Sequence, residues 1–150
     1  MSKSRKDTAF VATQLFIFLL YAWHPWKIEL PLYKWAEYFG VFLACIGSLV
    51  VFWSIWTLRP SLSVFPKPRA GGELITDGLY AKVRHPIYSG LILAIVGYAL
   101  IGYSGFRLIM AILLVILFYF KAQYEERRLI QHYAQYAHYK SQSWMFFPGF

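Results

Sequence analysis

The chain holds a single cysteine, Cys45, so it can form no internal disulfide framework and no thiolate metal site. Acids are scarce as well. Asp and Glu together number 7 in 150 residues, and charged side chains of both signs make up only 15%. No Gly-x-Gly-x-x-Gly follows a strand-like run, so there is no dinucleotide-binding fingerprint. His24, His132 and His138 have no partners at metal-ligand spacing, and no metal is assigned. Neither an internal repeat nor a low-complexity stretch is present. The N-terminal Lys3, Arg5 and Lys6 ahead of an apolar run imitate a secretory signal. Tyr21, Ala22, Trp23 and His24 offer no small-residue cleavage site, however, so a retained first span is expected.

What the chain does have is apolar and aromatic mass. Hydrophobic residues make up 59% and aromatics 21%, with a mean hydropathy of +0.45, well beyond what a soluble domain of this length needs. An all-α polytopic membrane protein is expected, with 1–150 forming one domain, since four spans of about 20 residues use nearly all the chain. The net charge of +8 is spread in short groups between apolar runs, which speaks for membrane topology and against a nucleic-acid surface.

Four apolar segments run from about Thr8 to Trp23, Ala36 to Leu58, Ile87 to Tyr103 and Phe106 to Phe120. Only Gly102, Tyr103, Ser104 and Gly105 join the last two, which makes them a tight helical hairpin. Twelve Lys and Arg fall in the N-terminal tail, the Arg59 to Arg84 connection and the tail after Phe120. The other two connections hold only Lys27, Lys34 and Arg107. That bias places both termini in the cytoplasm, with the chain in a plasma membrane, inner if bacterial. The Arg59 to His85 connection, with Pro60, Pro66, Pro68, Gly71, Gly72 and Gly78, suits an ordered, folded-back loop. After Phe120 no breaker appears until Pro148, so the fourth helix is expected to continue to about Tyr139.

The chemistry gathers on one side. Arg84, His85 and Tyr88 precede the third segment, with helix-breaking Pro86 setting their height relative to lipid. Glu125 and Glu126 lie one or two turns past the end of the fourth segment. The hairpin brings these groups together, and a basic and aromatic wall facing an acidic one suits a zwitterionic ligand. Tyr133, Tyr136 and Tyr139 read as an aromatic belt on headgroups. Gly40, Gly47, Gly90 and Gly97 read as close helix contacts.

Two motifs carry a family resemblance. Leu74, Ile75, Thr76, Asp77, Gly78, Leu79 and Tyr80, followed by Arg84, His85, Pro86, Tyr88 and Gly90, make up the first. Glu125 and Glu126 with Leu129, Tyr133, Tyr136 and Tyr139, ending in Phe146, Phe147 and Pro148, make up the second. Together they resemble the isoprenylcysteine carboxyl methyltransferase and phospholipid methyltransferase group of membrane enzymes, over a core of about 66–148. The resemblance implies S-adenosyl-L-methionine as methyl donor and a lipophilic or small membrane-accessible acceptor. It further implies donor contacts from Tyr80, Arg84, His85, Tyr88, Gly90, Glu125 and Glu126, and catalytic roles for His85, Lys121 and Glu126.

The sequence departs from the group's pattern at Leu79, where many relatives have proline, and at Lys121, where prenylcysteine enzymes have an arginine. Tyr133, Ala134 and Gln142 differ too. Lysine cannot form arginine's bidentate fork, which leaves the acceptor open. Methyl transfer from a sulfonium needs in-line positioning and exclusion of water rather than covalent help. Because the reference pKa of a histidine side chain lies near neutrality, His85 is the natural candidate base for an acidic acceptor. The rival readings are an NADPH-dependent membrane lipid reductase, disfavoured by Ile87 and Leu91 at motif positions, and a non-enzymatic membrane scaffold.

Overall fold

The computed structural model describes residues 5–58 and 74–149. The first part of the proline-rich connection, 59–73, lies outside the described residues, so the folded-back loop expected there is not addressed. The described chain is all-helical: α1 (Arg5–Trp23), α2 (Lys34–Leu58), α3 (Pro86–Ile101), α4 (Gly105–His132) and the short α5 (Tyr136–Ser141). A single 3-10 turn at Gly78–Ala81 precedes α3. Extended pairing among the described residues is limited to two isolated bridges, Glu29 with Ser104 and Val83 with Trp144.

α2 and α4 are each long and apolar enough to cross a bilayer. The apolar α3 has 16 residues, a rise of about 24 Å against a hydrocarbon core of about 30 Å. Of the four spans expected, two therefore meet the length and composition of a full crossing. Phe42, Leu49, Phe52, Trp53 and Trp56 point outward along α2. So broad an apolar surface has no use in water and suits contact with lipid.

Helices α2 and α3 share the largest interface, and glycine explains how. A Cβ on Gly47 would stand 2.5 Å from the Gly90 carbonyl oxygen, and one on Gly40 would stand 2.6 Å from that of Gly97. The reciprocal distances are equally short. Two glycine pairs, seven residues apart on each antiparallel helix, thus bring the backbones into direct contact.

The α3–α4 hairpin closes as the sequence implied. Ser104 caps α4 by accepting a hydrogen bond from the Arg107 amide at 3.1 Å, and Tyr103 takes a left-handed φ of 47°. Helix α1 runs antiparallel to α4 as a ladder of matched rungs: Asp7 on Arg128, Phe10 on Tyr124, Gln14 on Lys121 and Phe18 on Phe118. Between α1, α3 and α4 lies the core, with Ile92, Ile95, Met110, Leu114 and Phe118 at its centre. The start of α3 and the ends of α2 and α4 consequently share one end of the bundle.

One expectation is corrected. Instead of continuing to Tyr139, α4 ends at His132, where Tyr133 turns extended (φ −120°, ψ 114°). Seven more helical residues would have carried the chain roughly 10 Å beyond the bundle. Bending back instead buries Tyr136, 1% exposed, and returns α5 to the motif. Tertiary burial outweighs the helical propensity of a segment without breakers.

Candidate functional site

The Arg-His-Pro segment is fixed by its backbone before its side chains act. The Arg84 amide donates to Trp144 O at 2.8 Å, the Trp144 amide to Lys82 O at 2.9 Å and the His85 amide to Met145 O at 3.1 Å. Ser89 Oγ donates to Phe146 O at 2.6 Å, locking the C-terminal tail against the first turn of α3. Pro86 occupies the first turn, where its missing N–H costs nothing, and the Ser89 amide makes the opening helical bond to His85 O at 3.1 Å.

Around this frame the polar groups converge on Glu126, only 1% exposed. Arg84 Nε donates to Glu126 Oε1 at 2.6 Å, and Lys140 Nζ lies 2.7 Å from Oε2. His85 stands between the two glutamates, Nδ1 3.6 Å from Glu125 Oε2 and Nε2 3.4 Å from Glu126 Oε1. Buried Nε2 makes no hydrogen bond. Arg84 also donates through Nη1 to the carbonyls of Lys140 and Ser143. Tyr88 OH donates to Glu125 Oε1 at 2.8 Å. Two carboxylates therefore face two cations and an imidazole in a water-poor cluster, where charge-assisted bonds are strong.

Aromatic rings wall this cluster. The Tyr88 ring stacks on His85 at 5.5 Å and on Phe118 at 4.7 Å, both nearly parallel, and Phe146 meets His85 and Tyr88 edge-on. Two of the three tyrosines read as a headgroup belt, Tyr136 and Tyr139, turn inward instead. Tyr139 OH donates to Tyr80 O at 2.5 Å, and Tyr136 lies against Tyr139. Burial pushes the Tyr139 phenol up to about 12 despite the nearby Arg84 guanidinium, and burial raises Tyr136 and Tyr80 too. These phenols stay protonated near neutrality and serve as donors.

The structure brings Arg84, His85, Tyr88, Glu125 and Glu126 into one cluster, with Tyr80 tied to it through Tyr139. Lys121 sits beside it on α4, 2% exposed, donating to Gln14 Oε1 at 2.8 Å and lying 5.3 Å from the Tyr88 ring centre. Gly90 stands apart. A Cβ there would meet Gly47 O and Val51 of α2, so the residue serves helix packing on the side away from the cluster. Arg128, in helical reach of the glutamate pair, turns to Asp7 at 3.1 Å instead. Sequence reasoning missed Lys140, Gln14 and Ser89. Only the even spacing of Asp7, Phe10, Gln14 and Phe18 along α1 signalled any of these.

A helical protein with broad lipid-suited faces and a buried, charge-paired cluster at one end of its bundle has the make-up of a membrane-associated protein. The family model for phospholipid methyltransferases matches residues 35–136, and the chain belongs to that family. The match spans α2 to the first residue of α5, so it starts earlier than the two motifs suggested and leaves α1 outside. No curated protein matches the chain.

Proposed function

We propose that the chain transfers a methyl group from S-adenosyl-L-methionine to a lipophilic acceptor at the cytoplasmic membrane face, as an isoprenylcysteine carboxyl methyltransferase-like member of its family. In this reading 1–150 is one domain of four spans, with both termini cytoplasmic in a bacterial-type inner membrane. The observation that carries the reading is the engagement of buried Glu126 by Arg84 and Lys140, with Glu125 one residue away and His85 between them. A group holding both signs of charge at short range fits the ammonium and carboxylate of the donor's amino acid portion, and the unbonded His85 Nε2 gives that portion a further polar contact.

When bound, the donor supplies a sulfonium-activated methyl that passes in line to a nucleophile. Glu125 and Glu126 would hold the ammonium, Arg84 would hold the carboxylate, and the Tyr80 ring would flank the cationic end. His85 accepts a proton where the acceptor nucleophile carries one. The stacked His85, Tyr88 and Phe118 rings keep water from the reacting atoms.

The test is calorimetry in detergent with S-adenosylhomocysteine, the demethylated product, on the intact protein and on Glu126→Ala and His85→Ala. Saturable binding to the intact protein, weakened tenfold or more in Glu126→Ala, is expected. Absence of saturable binding, or tighter binding of NADPH, overturns the reading.

A further inference from the structure

Of the two cations on Glu126, one is built in and the other is exchangeable. Arg84 is 7% exposed, donates Nε to Oε1 at 2.6 Å, and is tied through Nη1 to the carbonyls of Lys140 and Ser143. Lys140 is 43% exposed, and its Nζ lies 2.7 Å from Oε2. That contact is charge against charge, because the buried Oε2 has no aligned hydrogen bond. The backbone around the lysine is pinned. Tyr139 OH donates to Tyr80 O, Tyr136 is buried, and Arg84 grips the Lys140 carbonyl. The flexible four-carbon stem of Lys140 can therefore swing into water while α5 stays in place.

We propose that Lys140 is a specificity-determining residue for the donor: its ammonium stands in for the donor's own on Glu126, so a ligand must bring an ammonium to take its place. The inference rests on the methyl-transfer reading and deepens it by naming what the site selects for. Two ammonium groups crowded on Oε2 would repel each other, and Lys140, already half in water, loses little on leaving. Arg84, dry and held by three bonds, stays behind for the carboxylate. A nucleoside without an amino acid portion leaves the lysine where it is and meets an acid already neutralised. Exchange of one ammonium for another keeps the charge balance at Glu126, so the buried acid is never left bare as donor enters and product leaves.

The experiment uses the full chain in detergent. Lysines are acetylated with excess sulfo-N-hydroxysuccinimide acetate and quantified by mass spectrometry, with Lys34, 72% exposed at the start of α2, as the internal reference. Saturating S-adenosylhomocysteine should raise the labelling of Lys140 relative to Lys34 severalfold. 5′-Methylthioadenosine, which carries no amino acid portion, should leave it unchanged. Calorimetry supplies the second arm. Lys140→Met keeps the length without the charge and should tighten S-adenosylhomocysteine binding about threefold to fivefold, the worth of a half-exposed ion pair, with 5′-methylthioadenosine unaffected. Lys140→Arg keeps the charge and should tighten neither. Unchanged or lower labelling of Lys140 with S-adenosylhomocysteine bound, or weaker binding by Lys140→Met, overturns the proposal. Equal tightening of both ligands would make the lysine a steric cover and overturns it too. If neither the intact protein nor Lys140→Met binds S-adenosylhomocysteine, the methyl-transfer reading falls and takes the proposal with it; binding with the wrong sign at Lys140 strikes the proposal alone.

Discussion

Arg84 and Glu126, 42 positions apart in sequence, meet at 2.6 Å with 7% and 1% of their side chains exposed. Neither helix alone could hold either group there. Pro86 fixes where α3 begins, the hairpin returns α4 to the same end, and the tail's backbone bonds fix Arg84. Lys140 then approaches from α5, so the acid is held from two sides. A charge pair this dry is tolerated because every partner is in place.

Replacing one partner should therefore cost more than the pair contributes. Glu126→Gln keeps the shape but leaves Arg84 and Lys140 facing each other without an anion. A loss of about 3 kcal/mol is expected, the low end for breaking a buried pair from one side, read as an earlier midpoint in denaturant titration of the detergent-solubilised protein. S-adenosylhomocysteine binding should fall at least tenfold. An unchanged midpoint would show that water reaches the pair.

Helix packing gives an independent expectation. Gly47→Ala and Gly90→Ala each place a methyl within 2.7 Å or less of opposing backbone atoms, which no rotamer change can relieve. Each should cost about 1–3 kcal/mol by overpacking. The double variant should cost less than their sum, since both force apart the same contact. Three melting curves in one detergent decide it, and full additivity would mean that the two glycines act at separate places.

The helices and the hairpin were legible in the sequence because long apolar runs and a four-residue Gly-Tyr-Ser-Gly turn leave little choice. The meeting of Arg84, His85 and Tyr88 with the glutamates followed from that hairpin alone. Hidden were features decided by tertiary burial. Tyr133 breaks α4 without any glycine or proline, because the gain lies in burying Tyr136 elsewhere. Lys140 belongs to a six-residue helix whose return no periodicity encodes. Gly90 sits inside a motif, yet its bare side faces α2, a direction that spacing cannot show.

Alkaline pH should loosen the tail. The Tyr139 phenol is pushed up to about 12 in the folded protein, chiefly by burial, while in the unfolded chain it titrates near 10. With the folded value raised, its contribution is complete below about pH 10 and is lost as the pH climbs through 12. Stability measured between these limits should decline, and Tyr139→Phe should flatten that part of the decline. The same variant loses the bond to Tyr80 O, at about 1 kcal/mol near neutrality. An identical alkaline decline in Tyr139→Phe would assign the effect to other phenols.

Membrane orientation can be read with single cysteines, because Cys45 is the only native one. On a Cys45→Ser background, Gln142→Cys lies at the Arg84 end and Tyr33→Cys lies at the opposite end, in the connection between α1 and α2. Tyr33 is 78% exposed and Gln142 is exposed as well, so both thiols are open to reagent. Twelve of the fifteen Lys and Arg fall in the N-terminal tail, the Arg59 to Arg84 connection and the tail after Phe120, and under the positive-inside rule such a bias predicts a cytoplasmic location for these segments. A membrane-impermeant maleimide added to intact cells should label the cysteine at 33 and spare the one at 142 until the membrane is opened. The reverse pattern would put the cluster outside, away from any cytoplasmic pool of donor, and the proposed reaction could not run there.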